Sequence, residues 1–279
     1  MADVDRAFVR IQEGLVHYRH AGTAQSGGPL PLYFVHAGPG SSAGYAPLIA
    51  ELGNSRRVIA PDTLGNGDSV GPGIANPELA YYADSVVRIM DALKLDKVDY
   101  FGTHTGAHIG VELLLTRPDR VRRAIFDGIG IFPEDLKKEM LAHYAPEITP
   151  DEFGRQFTWA WHFVRDQSIH FPYFMRDPAH RLNNPMPGAE ALHRSVVEVL
   201  KAVTTYHNGY RAVFRHDTKS RLPLIKSTPL MFMASEADPL VEYLDAAAAL
   251  VPGAKKVRIS RQEGLGVRAK AMNDFYDAA

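Results

Sequence analysis

The 279-residue chain has no cysteine. That excludes disulfides, thiolate metal sites and a cysteine nucleophile. Charge of one sign is lacking too: 31 Lys+Arg stand against 32 Asp+Glu, a net −1 with histidine neutral. No strong field is available to draw in nucleic acid or an anionic membrane surface, so neither is expected as a partner. No apolar run approaches membrane-spanning length, and the opening stretch MADVDRAFVRIQEG lacks an apolar core of signal-peptide length. A cytoplasmic protein is therefore expected. Internal repeats and low-complexity tracts are absent. The composition is that of an ordinary globular protein, 46% hydrophobic and 23% charged, with room for one large domain or a domain with an insertion.

What is present is an alternation. AFVRIQEGLVHYRHAG predicts two short strands joined at Glu13-Gly14. PLYFVHAGPG is an apolar run ending in glycines, a buried strand and then a loop. YAPLIAELG has helical spacing, and RRVIAPDTLGNGDS reads as a strand followed by turn residues. PELAYYADSVVRIMDALKL is an amphipathic helix expected to start at Asn76-Pro77. KVDYFG is a strand, THTGAHIGVELLLTRP a helix, and VRRAIFDG a strand. From about Pro133 to Leu222 the pattern turns helical, aromatic and proline-punctuated around FTWAWHFVRDQSIHFPYF. TPLMFMAS, LVEYLDAAAALV, KKVRIS and VRAKAMNDFYDA then resume as strand, helix, strand and helix. Such alternation implies a mostly parallel central sheet with helices on both faces. The expected organisation is a core of residues 1–132 and 223–279 with a helical cap, 133–222, inserted between the sixth and seventh strands.

Four loops carry a resemblance. HAGPG, His36 to Gly40, resembles the H-G-G-P-G oxyanion loop of the α/β-hydrolase superfamily. DTLGNGDS, Asp62 to Ser69, is similar to its D-x-x-G-x-G-x-S loop. GTHTG, Gly102 to Gly106, is similar to its nucleophile elbow, and SEADPL, Ser235 to Leu240, to the segment that carries its acid. The four stand in the family's order with the right elements between them. The resemblance implies an α/β-hydrolase fold, backbone N–H donors at Gly38 and Thr105 for an oxyanion, and an acid at Asp238. Asp127, after the sixth strand, sits where some relatives place the acid instead.

The chain departs from the family at two positions. His104 stands where relatives have serine, or aspartate in the epoxide hydrolases and haloalkane dehalogenases, whose D-W-G-A-H pattern HTGAHIG otherwise resembles. The base is missing as well. Where relatives place a histidine after the last strand, this chain reads SRQEGLGV, and its last histidine is His216. A serine mechanism is excluded. Three readings of His104 stay open: a nucleophile that needs no separate base, a general base, or the mark of an inactive elbow in a binding protein.

The leading expectation is a small-molecule hydrolase of an ester, lactone or similar acyl bond, with His104 oriented by Asp238 or Asp127. The alternatives are a non-catalytic small-molecule binder or sensor, and a cofactor-independent lyase or proton-transfer enzyme using His104 as base. No cofactor is implied, and a homodimer is left open. His36, His104 and His108 invite a metal site, but an elbow residue and one a turn further along the helix project differently, so none is expected. Candidate substrate contacts are His36 and, from the cap, Trp161, Phe163 and Asp166, the last lying in the charged triplet RDQ among aromatics.

Overall fold

The computed structural model describes residues 1–24 and 27–278. Its single sheet has eight strands in the order β1-β2-β4-β3-β5-β6-β7-β8. β1 (Asp5–Ile11) and β2 (Gly14–Ala21) form an antiparallel hairpin on one edge. β3 (Leu32–Val35), β4 (Val58–Pro61), β5 (Val98–Thr103), β6 (Val121–Asp127), β7 (Leu230–Ser235) and β8 (Lys255–Ile259) run parallel to one another. The three central strands β3, β4 and β5 are buried at every position. That accounts for their unbroken apolar runs, since helices cover both faces of a parallel sheet.

Successive strand residues point to opposite faces, and the core divides accordingly. Leu32, Phe34, Val58, Ala60, Phe101 and Ile125 pack under α1 (Ala46–Leu52) and α10 (Leu265–Asp277). Tyr33, Val35, Ile59, Tyr100 and Phe126 face the other side, under α2 (Leu79–Ala92) and α3 (Thr105–Thr116). α2 begins at Leu79, two residues later than the sequence signal, with Glu78 as its cap.

Between β6 and β7 lie α4 (Glu134–His143), α5 (Arg155–Gln167), α6 (Ala189–Lys201), α7 (Tyr206–Arg215) and the short α8 (Thr218–Arg221). α9 (Leu244–Ala249) joins β7 to β8. The inserted segment reaches the elbow end of the sheet, where Met140, Tyr144, Gln167, Phe171, Tyr210 and Phe214 meet the loops after β3 and β5. No helix among the described residues is long and apolar enough to cross a membrane.

Candidate active site

The elbow is a sharp turn made possible by two glycines. β5 ends at Thr103, α3 starts at Thr105, and His104 between them is held at φ 49°, ψ −112°. A side chain on Gly106 would collide with the Val35 carbonyl, and one on Gly102 with the backbone of Gly106. The His104 backbone is in a region that non-glycine residues avoid, at a cost of about 1–3 kcal/mol. Its N–H donates to the carbonyl of Asp127 on β6 at 2.9 Å, which locks the turn.

This geometry pushes the imidazole out past the ends of the strands. There Nε2 lies 2.5 Å from Oδ2 of Asp238. Asp238 follows β7 and caps the next turn, its Oδ1 accepting from the Leu240 N–H at 2.8 Å. Both carboxylate oxygens are therefore engaged. Nδ1 of His104 has no hydrogen-bond partner among the described residues. Burial opposes a charge on either group. Against it, the Asp238 carboxylate raises the His104 pKa above its ordinary value, and His104 lowers that of Asp238.

His104 lines a cavity of about 300 Å³ together with Ala37, Gly38, Thr105 and His108. The opposing wall is aromatic, with Phe132, Phe171 and Phe214 beside Tyr144, Gln167 and Tyr210. Gly38 and Thr105, the expected donor positions, meet here. The Gly38 N–H donates to the Thr105 hydroxyl at 3.3 Å. That hydroxyl occupies the Gly38 donor, so a ligand oxygen would displace it or accept from it. Tyr210 ties the inserted segment to this loop, donating to the Gly38 carbonyl at 3.0 Å. Gln167 donates to the Tyr144 and Tyr210 hydroxyls at 3.2 and 3.4 Å.

Asp127 does not meet the imidazole. Its buried carboxylate pairs with Arg268 of α10, and only its backbone carbonyl serves His104. Arg268 was not anticipated. It enters from α10, just past the segment where relatives are expected to carry the base, and as a cation on Asp127. Arg261 turns to Asn183 and Asn184, and Glu263 accepts from the Ser260 N–H; neither reaches His104.

The four expected substrate contacts lie away from the cavity lining. His36 is buried and braces its loop: Nδ1 donates to the Ala37 carbonyl at 2.9 Å, and Nε2 accepts from the Thr63 N–H at 2.9 Å. Trp161 is 41% exposed on the outer side of α5. Phe163 is buried within the inserted segment, stacked on Trp159 at 4.8 Å between centroids. Asp166 is buried and neutralised by Arg165 at 2.6 Å and Arg176 at 2.8 Å. The rings of Trp159 and Phe163 on α5 pack together, while the wall of the cavity comes from Tyr210, Val213 and Phe214 of α7, from Met140 and Tyr144 at the end of α4, and from Phe132 and Phe171 outside the helices. The Tyr210, Phe214 spacing along α7 was the missed signal. Gly128, at φ 61°, was also missed; it lies against the paired side chains of His104 and Asp238.

His36, His104 and His108 each bond to a different partner: the Ala37 carbonyl, Asp238 and Thr218. His17, Asp62 and Asp68 do bring ligand-type atoms together. Asp62, however, is spent on holding its glycine-rich loop, accepting from Ser42 at 2.5 Å and from the Asp68 N–H at 3.1 Å and pairing with His17 at 2.8 Å.

A family model described as the alpha/beta hydrolase fold matches residues 31–262. 2-Hydroxymuconate semialdehyde hydrolase of Pseudomonas sp. (strain CF600) is 39% identical over 106 residues, a stretch covering 37% of this chain and 38% of that relative. Haloalkane dehalogenase 2 of Mycobacterium tuberculosis (strain ATCC 25618 / H37Rv) is 31% identical over 122 residues, 44% of this chain and 41% of the relative. The matched stretch thus spans about two-fifths of the length of these relatives. Among solved structures, a hydrolase from Pseudomonas aeruginosa PA01 superposes with a TM-score of 0.72 at 19% identity, over 98% of this chain and 99% of that one. With the strand order, the elbow and its flanking loops in place, and the family model spanning most of the sequence, the chain belongs to the α/β hydrolase fold family.

Proposed function

We propose that this protein is a small-molecule hydrolase acting on an ester, lactone or similar acyl bond, with His104 as its central residue and residues 133–222 as its cap. One observation carries the reading: the His104–Asp238 contact at the mouth of the elbow, facing an aromatic-lined cavity. The hydrolase relatives support it at the level of reaction class. Asp238 accepts the Nε2 proton and fixes the ring orientation. Nδ1 is then the working nitrogen, free to attack the acyl carbon or to take a proton from water. Negative charge on the carbonyl oxygen would fall to the N–H groups of Gly38 and Thr105 and to the Thr105 hydroxyl. The raised pKa of His104 sets a condition, because the nitrogen is available only where the ring is neutral. Turnover therefore rises with pH through that pKa.

The test is a panel of 4-nitrophenyl esters, lactones and epoxides, with wild type compared with His104→Ala. Turnover that disappears in the variant supports the reading, and turnover that survives removes His104 from it. A binding protein is the second reading. It is favoured by the engagement of the Gly38 N–H with Thr105. It would show ligand-induced shifts in melting temperature with no turnover on any of the panel.

A further inference from the structure

A second histidine reaches the same cavity. His108 lies one turn beyond His104 on α3 and is part of the cavity lining. Its Nδ1 is 2.9 Å from the hydroxyl of Thr218 on α8. The same hydroxyl is 2.9 Å from Nδ1 of His216. His216 Nε2 is 2.7 Å from Glu112 Oε1, and Arg221 holds Glu112 through both carboxylate oxygens, at 2.7 and 2.5 Å. The two rings meet edge to face with centroids 6.1 Å apart. His216 and Thr218 also line a separate cleft of about 120 Å³ with Lys137, Asp217 and Lys219. Phe132 and Val213 belong to both linings and form the wall between the two spaces.

The proton positions follow from one fixed end together with a neutral His216. Glu112 is a carboxylate: against the desolvation of burial, His216 and Arg221 hold its pKa down to about 2. It accepts, so His216 Nε2 donates. With His216 taken as the neutral ring, Nδ1 is then an acceptor that takes the Thr218 hydroxyl proton. The Thr218 oxygen must in turn accept from His108 Nδ1–H. That leaves Nε2 of His108 with a lone pair and no partner among the described residues. Burial, reinforced by His216, His104 and Lys137, keeps His108 well below its ordinary pKa. His108 is thus the neutral imidazole of the cavity, beside a His104 whose pKa is raised.

We propose that His108 is the proton acceptor of this cavity and that Thr218 relays its proton through the wall to His216, where the Glu112 carboxylate holds the resulting charge. Each transfer conserves protons. A water or ligand O–H gives its proton to His108 Nε2. His108 Nδ1–H passes to Thr218, and the Thr218 hydroxyl proton passes to His216 Nδ1. The result is a neutral His108 with the proton on Nε2 and an imidazolium at His216 against the Glu112 carboxylate. Reversal returns a proton to the leaving group. Asp238 serves His104 alone, so the cavity would hold two imidazoles with separate carboxylates. The relay adds a proton-handling residue to the proposed hydrolase and, for its catalytic part, rests on that reading.

Nitrogen-15 NMR of histidine-labelled protein tests the relay with no substrate present. The expected result is a neutral His108 carrying its proton on Nδ1 at pH 7, a tautomer lost in Thr218→Val and kept in Thr218→Ser. A His108 with its proton on Nε2 in the wild type overturns the proposal. With 4-nitrophenyl acetate, Thr218→Val is expected to lower kcat on the order of 10²-fold with little change in KM, and Thr218→Ser to restore most of it. Equal kcat in all three proteins, where the wild type is active, also overturns it. A wild type inactive on the whole ester panel counts against the hydrolase reading, and the NMR tautomer then decides the relay by itself.

Discussion

Arg268 holds the carboxylate of Asp127 and so leaves the His104 ring to Asp238 alone. Two carboxylates flank the elbow, one at the end of β6 and one after β7. A guanidinium from α10 decides which of them serves the imidazole. The Asp127 side chain is 4% exposed, and burial raises its pKa while Arg268 opposes the rise.

Removing that guanidinium strands a buried acid. Arg268→Ala is expected to cost about 3 kcal/mol, as does breaking other buried pairs from one side. Urea unfolding measures it. The double variant Arg268→Ala/Asp127→Asn should recover part of the loss, because the stranded charge is gone. A single variant as stable as the wild type would show that the pair contributes nothing.

Asp238→Asn should move the pH dependence of both activity and stability. The folded-state pKa of His104 is raised from 6.5, so its stabilising contribution is complete below 6.5 and is lost as pH rises through the folded value. That of Asp238 is lowered from 3.8, so its contribution is present above 3.8 and is lost as pH falls through the folded value. The pair stabilises most between those two unfolded values. The gap between wild type and Asp238→Asn in urea unfolding should therefore be widest at about pH 5 and narrow as pH rises through the raised His104 value. The midpoint of the turnover profile should shift to lower pH in the variant. Asp127→Asn should shift it less, since that carboxylate does not touch the ring.

Gly128→Ala tests how tightly the pair is seated. A Cβ there would stand 2.7 Å from His104 Nε2 and 2.8 Å from Asp238 Oδ2, at a φ of 61°. The backbone conformation alone costs about 1–3 kcal/mol for alanine. The variant should lose that stability in thermal or urea melts. It should also lose turnover beyond what the unfolded fraction explains, because the methyl group drives the two side chains apart. Wild-type turnover in a folded Gly128→Ala would mean that the contact is not needed.

Tyr210→Phe removes the hydrogen bond from the inserted segment to the Gly38 carbonyl. The expected loss of stability is about 1 kcal/mol, the net worth of one such bond. If the loop's donor geometry depends on this tie, kcat on activated esters falls several-fold while the folded fraction stays near complete. An unchanged kcat would make Tyr210 part of the wall only.

Much of the fold was legible because its signals are local. Buried parallel strands need apolar runs, turns between strand and helix need glycine, and both appear in order along the chain. The elbow and the four motif loops follow from that order. The site was legible at its centre, His104 with Asp238, because both are fixed relative to strand ends. It was not legible at its walls. Trp161 and Phe163 sit on the same helix among the same residue types, yet one faces outward and the other is buried within the inserted segment. Which helices border the cavity depends on how they pack against one another.

The sequence alone determined that this is an α/β sheet with an inserted helical segment, that the elbow carries an imidazole, and that no histidine follows His216. Each of these is a matter of residue type and spacing. Only the tertiary structure decided which carboxylate the imidazole meets, since Asp127 is claimed by Arg268 from a helix 141 positions along the chain. The fold also brought His108 to Thr218, 110 positions away. Side chains so far apart in sequence meet through the packing of whole elements, and no local pattern encodes that.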